Sequence, residues 1–314
     1  MKNNEEIILA SGIDNDYTQH LGVLLVSIFE NKGLEKIKYY VFHSNLSEKN
    51  KKRLLKISKK YKFELIFKKI NEIMFRDLKI NNHFSVANYF CLTIPNFLYK
   101  DHEKVLFLDV DLIVLGSLSC LWKTNVKDCY LAATCDFDNF NHNQYLKLKL
   151  INKDKYFNTG VMLINNGKWI KKNVLNNTLK FIKKNPEVIE YADQDGLNYV
   201  IRGNYRKISI KNNYSVAHHP NFRFFNKVKP PQDILIYHFA SLPDKPWNFS
   251  SINFFKKRYW YYLRKTPWRF RVYSDFKKIT FKKIVKKYKT LFLIFINQQV
   301  EFFEFIKKIR GIWK

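Results

Sequence analysis

Short apolar runs alternate along this chain with longer stretches whose apolar positions recur every three or four residues. The run "EIILAS" (Glu6 to Ser11) has a strand's length and ends in the polar, turn-rich "GIDND". "HLGVLLVSIFEN" follows with helical spacing and stops at Asn31, Lys32 and Gly33, a C-terminal signal. "IKYYVFHS" predicts a second strand, "SEKNKKRLLKISKKY" an amphipathic helix capped by Ser47, and "FELIFKKI" a third strand. Such alternation predicts an α/β fold with a mostly parallel sheet flanked by helices. "KVLFLDVD" is the expected central strand, since its near-continuous apolar run suits burial on both faces. "YLAATCD", "FNTGVMLIN" and "ILIYHFA" predict further strands, and "QDGLNYVI" a further helix. Open sheets of this class bind ligands beyond the carboxyl ends of their strands. The polar ends of "IILASGID" and "LFLDVD" are therefore expected to flank one crevice.

Two carboxylates, Asp109 and Asp111, interrupt the central run. Alternate strand residues face the same way, so the two should converge, and close carboxylates repel unless a cation joins them. The chain's 15 aspartates give fewer than one Asp-x-Asp pair by chance, yet four occur: Asp14/Asp16, Asp109/Asp111, Asp136/Asp138 and Asp193/Asp195. An isolated pair is more often a helix cap or a turn. The apolar residues around Asp109 and Asp111 shift the balance toward a metal site. Oxygen ligands favour Mg²⁺ or Mn²⁺, and an added imidazole favours Mn²⁺. His238 in "ILIYHFASLPDKPW", just past another apolar strand, is the candidate imidazole, although a lone His there is more often structural. A divalent ion at a sheet crevice typically serves phosphate oxygens, and Lys245 offers a second positive charge to a diphosphate. Neither GxxxxGK[ST] nor GxGxxG occurs, so a P-loop NTPase and a dinucleotide enzyme are not supported.

Charge adds a second feature. The formal net charge is +29, and residues 251–314 hold 18 Lys/Arg against 3 Asp/Glu. The excess is concentrated in a tail, which suits an anionic membrane surface as well as nucleic acid. From Phe276 the apolar residues Ile279, Ile284, Val285, Tyr288, Phe292 and Phe295 recur near helical spacing. Lys277, Lys278, Lys282, Lys283, Lys286, Lys287 and Lys289 fall largely between them, and "RYWYYLRKTPWRF" supplies interfacial aromatics beforehand. The expected division is a catalytic domain over 1–250 and a membrane-associating region over 251–314. The 46% hydrophobic content excludes a disordered chain. Four cysteines without CxxC spacing suit reduced thiols in a cytosol. The first residues do not read as a signal peptide, and no run approaches the ~20 apolar residues of a spanning helix. The expected location is cytoplasmic, peripheral on the inner face of the cell membrane.

Five ordered blocks over about residues 6–250 resemble the family-8 retaining glycosyltransferases: "ASGIDNDYTQHLGV", "KVLFLDVDLIVLGSLSCLW", "FNTGVMLINNGKW", "YADQDGLN" and "HFASLPDKPW". That family includes bacterial lipooligosaccharide and lipopolysaccharide galactosyl- and glucosyltransferases and, more distantly, glycogenin. The resemblance implies a GT-A fold, Mn²⁺, and a UDP-sugar donor (UDP-glucose or UDP-galactose) whose hexose is transferred with retention to a glycan or glycolipid acceptor. It implies that Asp109, Asp111 and His238 bind the metal, that Asp14 and Tyr17 contact uracil, and that Val110 lends its backbone to the ribose. Ala10, Gly12 and Ser241 join the donor-binding set on the same ground, with Lys245 on the diphosphate. Asp136, Asn158, Asp193 and Gln194 resemble the residues around the donor sugar. Gln194 is expected near the anomeric carbon, and Asp193 or Asp195 would be the carboxylates for a covalent path. Cys91 stands where the family often has Arg or Lys, Asp16 where Asn is usual, and Ser241 where Gly is frequent. The competing class is a non-catalytic basic lipid- or nucleic-acid-binding protein on a degenerate transferase fold, supported by Cys91 and the charge. Such a protein would not need the ordered carboxylate blocks, and nucleic acid is the less expected partner because no recognised binding module accompanies the charge.

Overall fold

The structure is a computed structural model that describes residues 6–78, 85–136, 144–215, 233–240, 245–276, 280–281, 284–285 and 287–289. β1 (Ile7–Ile13) passes through a polar loop into α1 (Thr18–Asn31), and β2 (Ile37–His43), α2 (Glu48–Tyr61) and β3 (Glu64–Lys69) follow. A 3-10 stretch, Val86–Thr93, and α3 (Ile94–Leu98) bring the chain to β4 (Lys104–Leu108) and β5 (Leu112–Val114). Next come α4 (Ser119–Trp122), β6 (Leu131–Ala133), α5 (Gln144–Lys147), β7 (Val161–Asn165), α6 (Asn166–Lys171), α7 (Val174–Lys184) and α8 (Ala192–Ile201). β8 (Arg206–Lys207), β9 (Ile236–His238) and α9 (Lys256–Arg264) follow.

Seven strands form one sheet in the order β3-β2-β1-β4-β7-β6-β8. Among them β7 alone runs against the rest, pairing antiparallel with β4 and β6. The expected mostly parallel α/β architecture is present. β1 lies between β2 and β4, with Ala10 opposite Tyr40 on one side and Phe107 on the other. Its side chains are accordingly buried on both faces. α1 is apolar from Leu21 to Val26 and is buried along that length. α2 exposes a lysine-rich face and buries Leu54 and Ile57, and its Ser47 cap accepts the Asn50 backbone N–H at 3.3 Å.

The central run differs from the expectation of one strand. β4 ends at Leu108 inside the large sheet, and β5 pairs antiparallel with β9 in a separate two-stranded sheet. Asp109, Val110 and Asp111 are the crossing between the two. The Asp109 N–H bonds to the Gly160 carbonyl at 2.8 Å, and the Asp111 carbonyl accepts the Phe239 N–H at 2.9 Å. The carboxylates therefore converge at a change of pairing partner and not through strand alternation.

The first part of the basic C-terminal region is rooted in the core. Tyr259, Tyr262, Leu263 and Trp268 are each at most 4% exposed. Tyr262 receives a hydrogen bond from the Asn31 amide at 2.9 Å, and Lys265 pairs with Glu30. These aromatics are spent on packing against α1, which leaves Tyr261 and Phe270 at the surface. Of the expected amphipathic stripe, Phe276, Val285 and Tyr288 are exposed, while Lys287 folds back to the Phe249 carbonyl at 2.9 Å. Ile279, Phe292, Phe295, Lys277, Lys278, Lys282, Lys283 and Lys286 lie outside the described residues. Among the described residues no helix is long and apolar enough to cross a membrane.

Candidate active site

The carboxyl end of β4 is where the polar side chains gather. Asp111 Oδ1 lies 3.2 Å from His238 Nε2, and Asp109 Oδ2 lies 3.8 Å from the same nitrogen. Ligand atoms of all three residues fall within 4.8 Å of one another. Lys245 Nζ approaches Asp111 Oδ2 at 2.7 Å and the Phe239 carbonyl at 2.6 Å. Burial pushes the Asp111 carboxyl up, but the charges of Lys245 and His238 outweigh it and hold the group well below the usual carboxylate range. Burial and the Asp111 charge push Asp109 above that range. For His238 the desolvation is overcome by Asp111 and Asp109, so its pKa rises. Lys245 and a protonated His238 can balance the carboxylates in the metal-free cluster, and the O,O,N donor set at these distances also fits a divalent cation. Asp109 keeps 41% of its side chain open, so the cluster is reached from the crevice.

One wall is the loop after β1. Asp14 Oδ1 accepts the Tyr17 N–H at 3.0 Å, and Oδ2 accepts the Ser85 hydroxyl at 2.9 Å. Ala10 is fully buried within the sheet beneath this loop. Gly12 lies against the 3-10 stretch, where an added Cβ would stand 2.8 Å from Phe90 Cβ. Tyr17 is 37% exposed, and burial with the charges of Asp111, Asp14 and Asp109 pushes its phenol up to about 12. Behind it lies an aromatic stack. The His20 ring centre is 5.1 Å from that of Tyr17 and 3.8 Å from that of Trp247, and His20 Nδ1 meets the Tyr259 hydroxyl at 2.7 Å. Val110 is buried between the two carboxylates in sequence.

The opposite wall is a hydrogen-bonded network from the start of α8 and the approach to β7. Gln194 Nε2 donates to Asp136 Oδ2 and meets the Tyr156 hydroxyl, both at 2.9 Å, while its Oε1 accepts the Thr159 N–H at 3.2 Å. Asn158 Nδ2 also donates to Asp136 Oδ2, at 3.3 Å. Asp193 accepts the Cys91 thiol at 3.3 Å, and burial pushes its carboxyl up to about 7. Asp195 is fully buried and accepts from Tyr156, Gln144 and the backbone N–H groups of Glu190 and Tyr191, at 2.7 to 2.8 Å. Two of those donors are backbone N–H groups of the turn that starts α8, so the carboxylate ties that turn to Tyr156 and Gln144.

Asp109, Asp111 and His238 are thus brought together, and Lys245 joins them through Asp111. Asp14 and Tyr17 share one loop, and Gln194, Asp136 and Asn158 share one network. Ser241 lies outside the described residues. Sequence reasoning missed Ser85, His20, Trp247, Tyr156 and Asn213. Trp247 sits inside the block "HFASLPDKPW" and His20 inside "ASGIDNDYTQHLGV", which was the available signal for these two; Ser85, Tyr156 and Asn213 lie in none of the five blocks.

The sequence model of the family described as "Glycosyl transferase family 8" matches residues 8–251. General stress protein A of Bacillus subtilis (strain 168) is 27% identical over 286 residues, 85% of this chain and 96% of that protein. A lipopolysaccharide 1,2-glucosyltransferase of Escherichia coli is 26% identical over 295 residues, covering 88% of this chain and 81% of its own. A crystal structure of the galactosyltransferase LgtC with donor and acceptor sugar analogs superposes with a TM-score of 0.72 at 24% identity, covering 87% of this chain and 99% of that one. This last likeness speaks to the fold.

Proposed function

The chain belongs to glycosyl transferase family 8, and from that premise we propose that it transfers a hexose from UDP-glucose or UDP-galactose to a glycan of a surface polysaccharide or lipooligosaccharide, with retention of configuration. The observation that carries the proposal is the convergence of Asp109, Asp111 and His238 at the sheet's carboxyl edge, between the Tyr17 loop and the Gln194 network. In this reading Asp109, Asp111 and His238 hold Mn²⁺. When bound, the ion supplies positive charge to the diphosphate leaving group. Tyr17 stacks on uracil, Asp14 accepts from it, and Val110 borders the ribose, with Ala10, Gly12 and Ser241 shaping the cradle. Lys245 sets a second cation beside the diphosphate.

Gln194, Asp136, Asn158 and Asp193 form the wall for the sugar. Both polar ends of the Gln194 amide are already bonded, which suits a fixed surface against the anomeric carbon better than a nucleophile. Asp195, surrounded by four donors, is assigned to holding the α8 turn. Those assignments favour a front-face path. The acceptor oxygen bonds to the anomeric carbon on the face from which the diphosphate departs, and a departing phosphate oxygen takes the acceptor proton.

The division at residue 250 is kept as a division of labour. α9 anchors the C-terminal region to the catalytic core, and the basic stretch beyond Phe276 faces an anionic membrane on the cytoplasmic side. The exposure of Phe276, Val285 and Tyr288 supports this reading. The test is a panel of UDP-sugars with Mn²⁺ or chelator, scoring UDP release. Turnover should vanish in chelator and return with Mn²⁺, and Asp111→Asn should lower it at least about 100-fold. Undiminished turnover in chelator, or no hydrolysis of any UDP-sugar with Mn²⁺, overturns the proposal.

A further inference from the structure

Asn213 is fully buried and joins His238 to Asn158 of the Gln194 network. Its Oδ1 is 3.0 Å from His238 Nδ1, and its Nδ2 donates to Asn158 Oδ1 at 2.7 Å. The orientation of these amides follows from one donor that cannot be reversed. The backbone N–H of Gly160 points at the Asn158 side chain at 2.9 Å, so the atom it meets must be the carbonyl oxygen. The Asn158 amide group then faces Asp136, an acceptor, at 3.3 Å, which agrees. With an oxygen facing it, Asn213 must present its NH₂ to Asn158 and hence its own oxygen to His238. An imidazole nitrogen beside a buried oxygen has to carry the proton. The His238 proton therefore sits on Nδ1, and in the neutral ring the lone pair is on Nε2, directed at Asp109 and Asp111.

We propose that Asn213 is a positioning residue that fixes the tautomer and rotation of His238 for metal binding, and that it ties this ligand to the sugar-side wall through Asn158. The backbone supports the same arrangement. Asn213 follows the Ile210–Asn212 turn, and the next residue, Tyr214, brackets β9: its N–H bonds to the Ile236 carbonyl and its carbonyl accepts the His238 N–H at 2.8 Å. The ring is also confined from the β7 side, because an added Cβ at Gly160 would stand 2.7 Å from Nδ1. One uninterrupted chain of side chains thus runs Gln194, Asp136, Asn158, Asn213, His238, Asp111. A displacement of Asn158 would reach the ligand set through two direct hydrogen bonds at the fully buried Asn213.

The inference rests on the metal reading, and the experiment separates the two. Mn²⁺ alone is titrated into the full chain, free ion being followed by electron paramagnetic resonance. Asn213→Leu keeps the approximate shape and removes both hydrogen bonds; it should weaken Mn²⁺ binding by about 10- to 100-fold, the usual effect of losing a partner behind a ligating His. Asn213→Asp keeps an acceptor for Nδ1 and should retain Mn²⁺ affinity within a few fold, while its second oxygen opposes Asn158 Oδ1. If the wild type binds no Mn²⁺, the metal reading fails; if it binds and a folded Asn213→Leu binds equally well, only the present inference fails. A measurement without substitution decides the case if the variant does not fold. Long-range ¹⁵N–¹H spectra of the metal-free wild type at alkaline pH, where the ring is neutral, should show His238 protonated at Nδ1. The Nε2–H tautomer would overturn the inference.

Discussion

His20 gives a sharp test of how the wall behind Tyr17 is built. The ring is 4% exposed, lies 3.8 Å centre to centre from Trp247, and shares a 2.7 Å hydrogen bond with the Tyr259 hydroxyl. Burial, with help from Lys245 and Arg271 and against Asp111, lowers its pKa from 6.5 to about 3. The unfolded chain therefore takes up a proton below pH ~6.5 that the folded chain refuses until about pH 3. The stability associated with a neutral His20 is fully present above pH ~6.5 and is lost as pH falls toward 3. At about 1.4 kcal/mol per pH unit, the loss is ~2 kcal/mol between pH ~7 and ~5 and ~5 kcal/mol by pH ~3. The perturbation is His20→Gln, which cannot titrate but can still bond to Tyr259. The assay is urea denaturation of both proteins across this range, and the quantity read is the difference between their stabilities. That difference should shrink by ~2 kcal/mol from pH ~7 to ~5, since other titrating groups are common to both proteins. Parallel stability curves would refute the reasoning, because they would mean that His20 protonates in place without opening the stack.

Three further outcomes are expected. Asp195→Ala strands the Tyr156 hydroxyl, the Gln144 amide and two backbone N–H groups in a buried turn; it should cost ~3 kcal/mol or more by urea denaturation, and a loss under ~1 kcal/mol would contradict the holding role. Cys91→Arg sets a guanidinium beside Asp193, whose carboxyl burial raises to about 7; it should hold that group ionised and change the ranking of UDP-sugars in a turnover panel, whereas an unchanged ranking and rate would leave Cys91 a small core residue. Removing residues 277–314 should abolish binding to anionic vesicles in flotation and spare UDP-sugar hydrolysis, while a cut after Ser250 should unfold the protein by removing Tyr259, Tyr262, Leu263 and Trp268; retained flotation of the shorter deletion would exclude the tail as anchor.

The alternation of runs and amphipathic stretches made the α/β architecture legible, because sheet and helix impose different periods on burial. Direction was not legible. Within "FNTGVMLIN" the strand core Val161 to Ile164 is continuously apolar, and such a run reads alike whether β7 lies parallel or antiparallel to β4. The split of "KVLFLDVDLIV" was hidden for a related reason, since continuous apolar character does not record a change of pairing partner. The convergence of Asp109, Asp111 and His238 was legible because paired carboxylates after a strand are chemically conspicuous. Asn213 was not, since an asparagine in "IKNNYSV" is one polar residue among several and its meaning comes only from the residues above and below it. The aromatics of "RYWYYLRKTPWRF" were read as interfacial because composition cannot distinguish a ring buried by lipid from one buried by α1.

The bond between His20 and Tyr259 also bears on how the protein is made. The two residues are 239 positions apart, and Asn31 with Tyr262 and Glu30 with Lys265 are separated almost as widely. α1 forms from residues that leave the ribosome early and can pack on α2 and β5 soon afterwards, yet the part of its cover supplied by α9 and Trp268 arrives more than two hundred residues later. At ~5–20 residues per second, that interval lasts on the order of 10 to 40 s. During it the nascent chain carries an apolar helix that lacks part of its cover, beside a Tyr17 loop without its backing stack. Ordering that stack must also wait for closure of a very long loop, a topology associated with slow folding. The stack behind Tyr17 thereby becomes a property of the finished chain, and a ribosome stalled before α9 should hold a nascent chain that chaperones recognise.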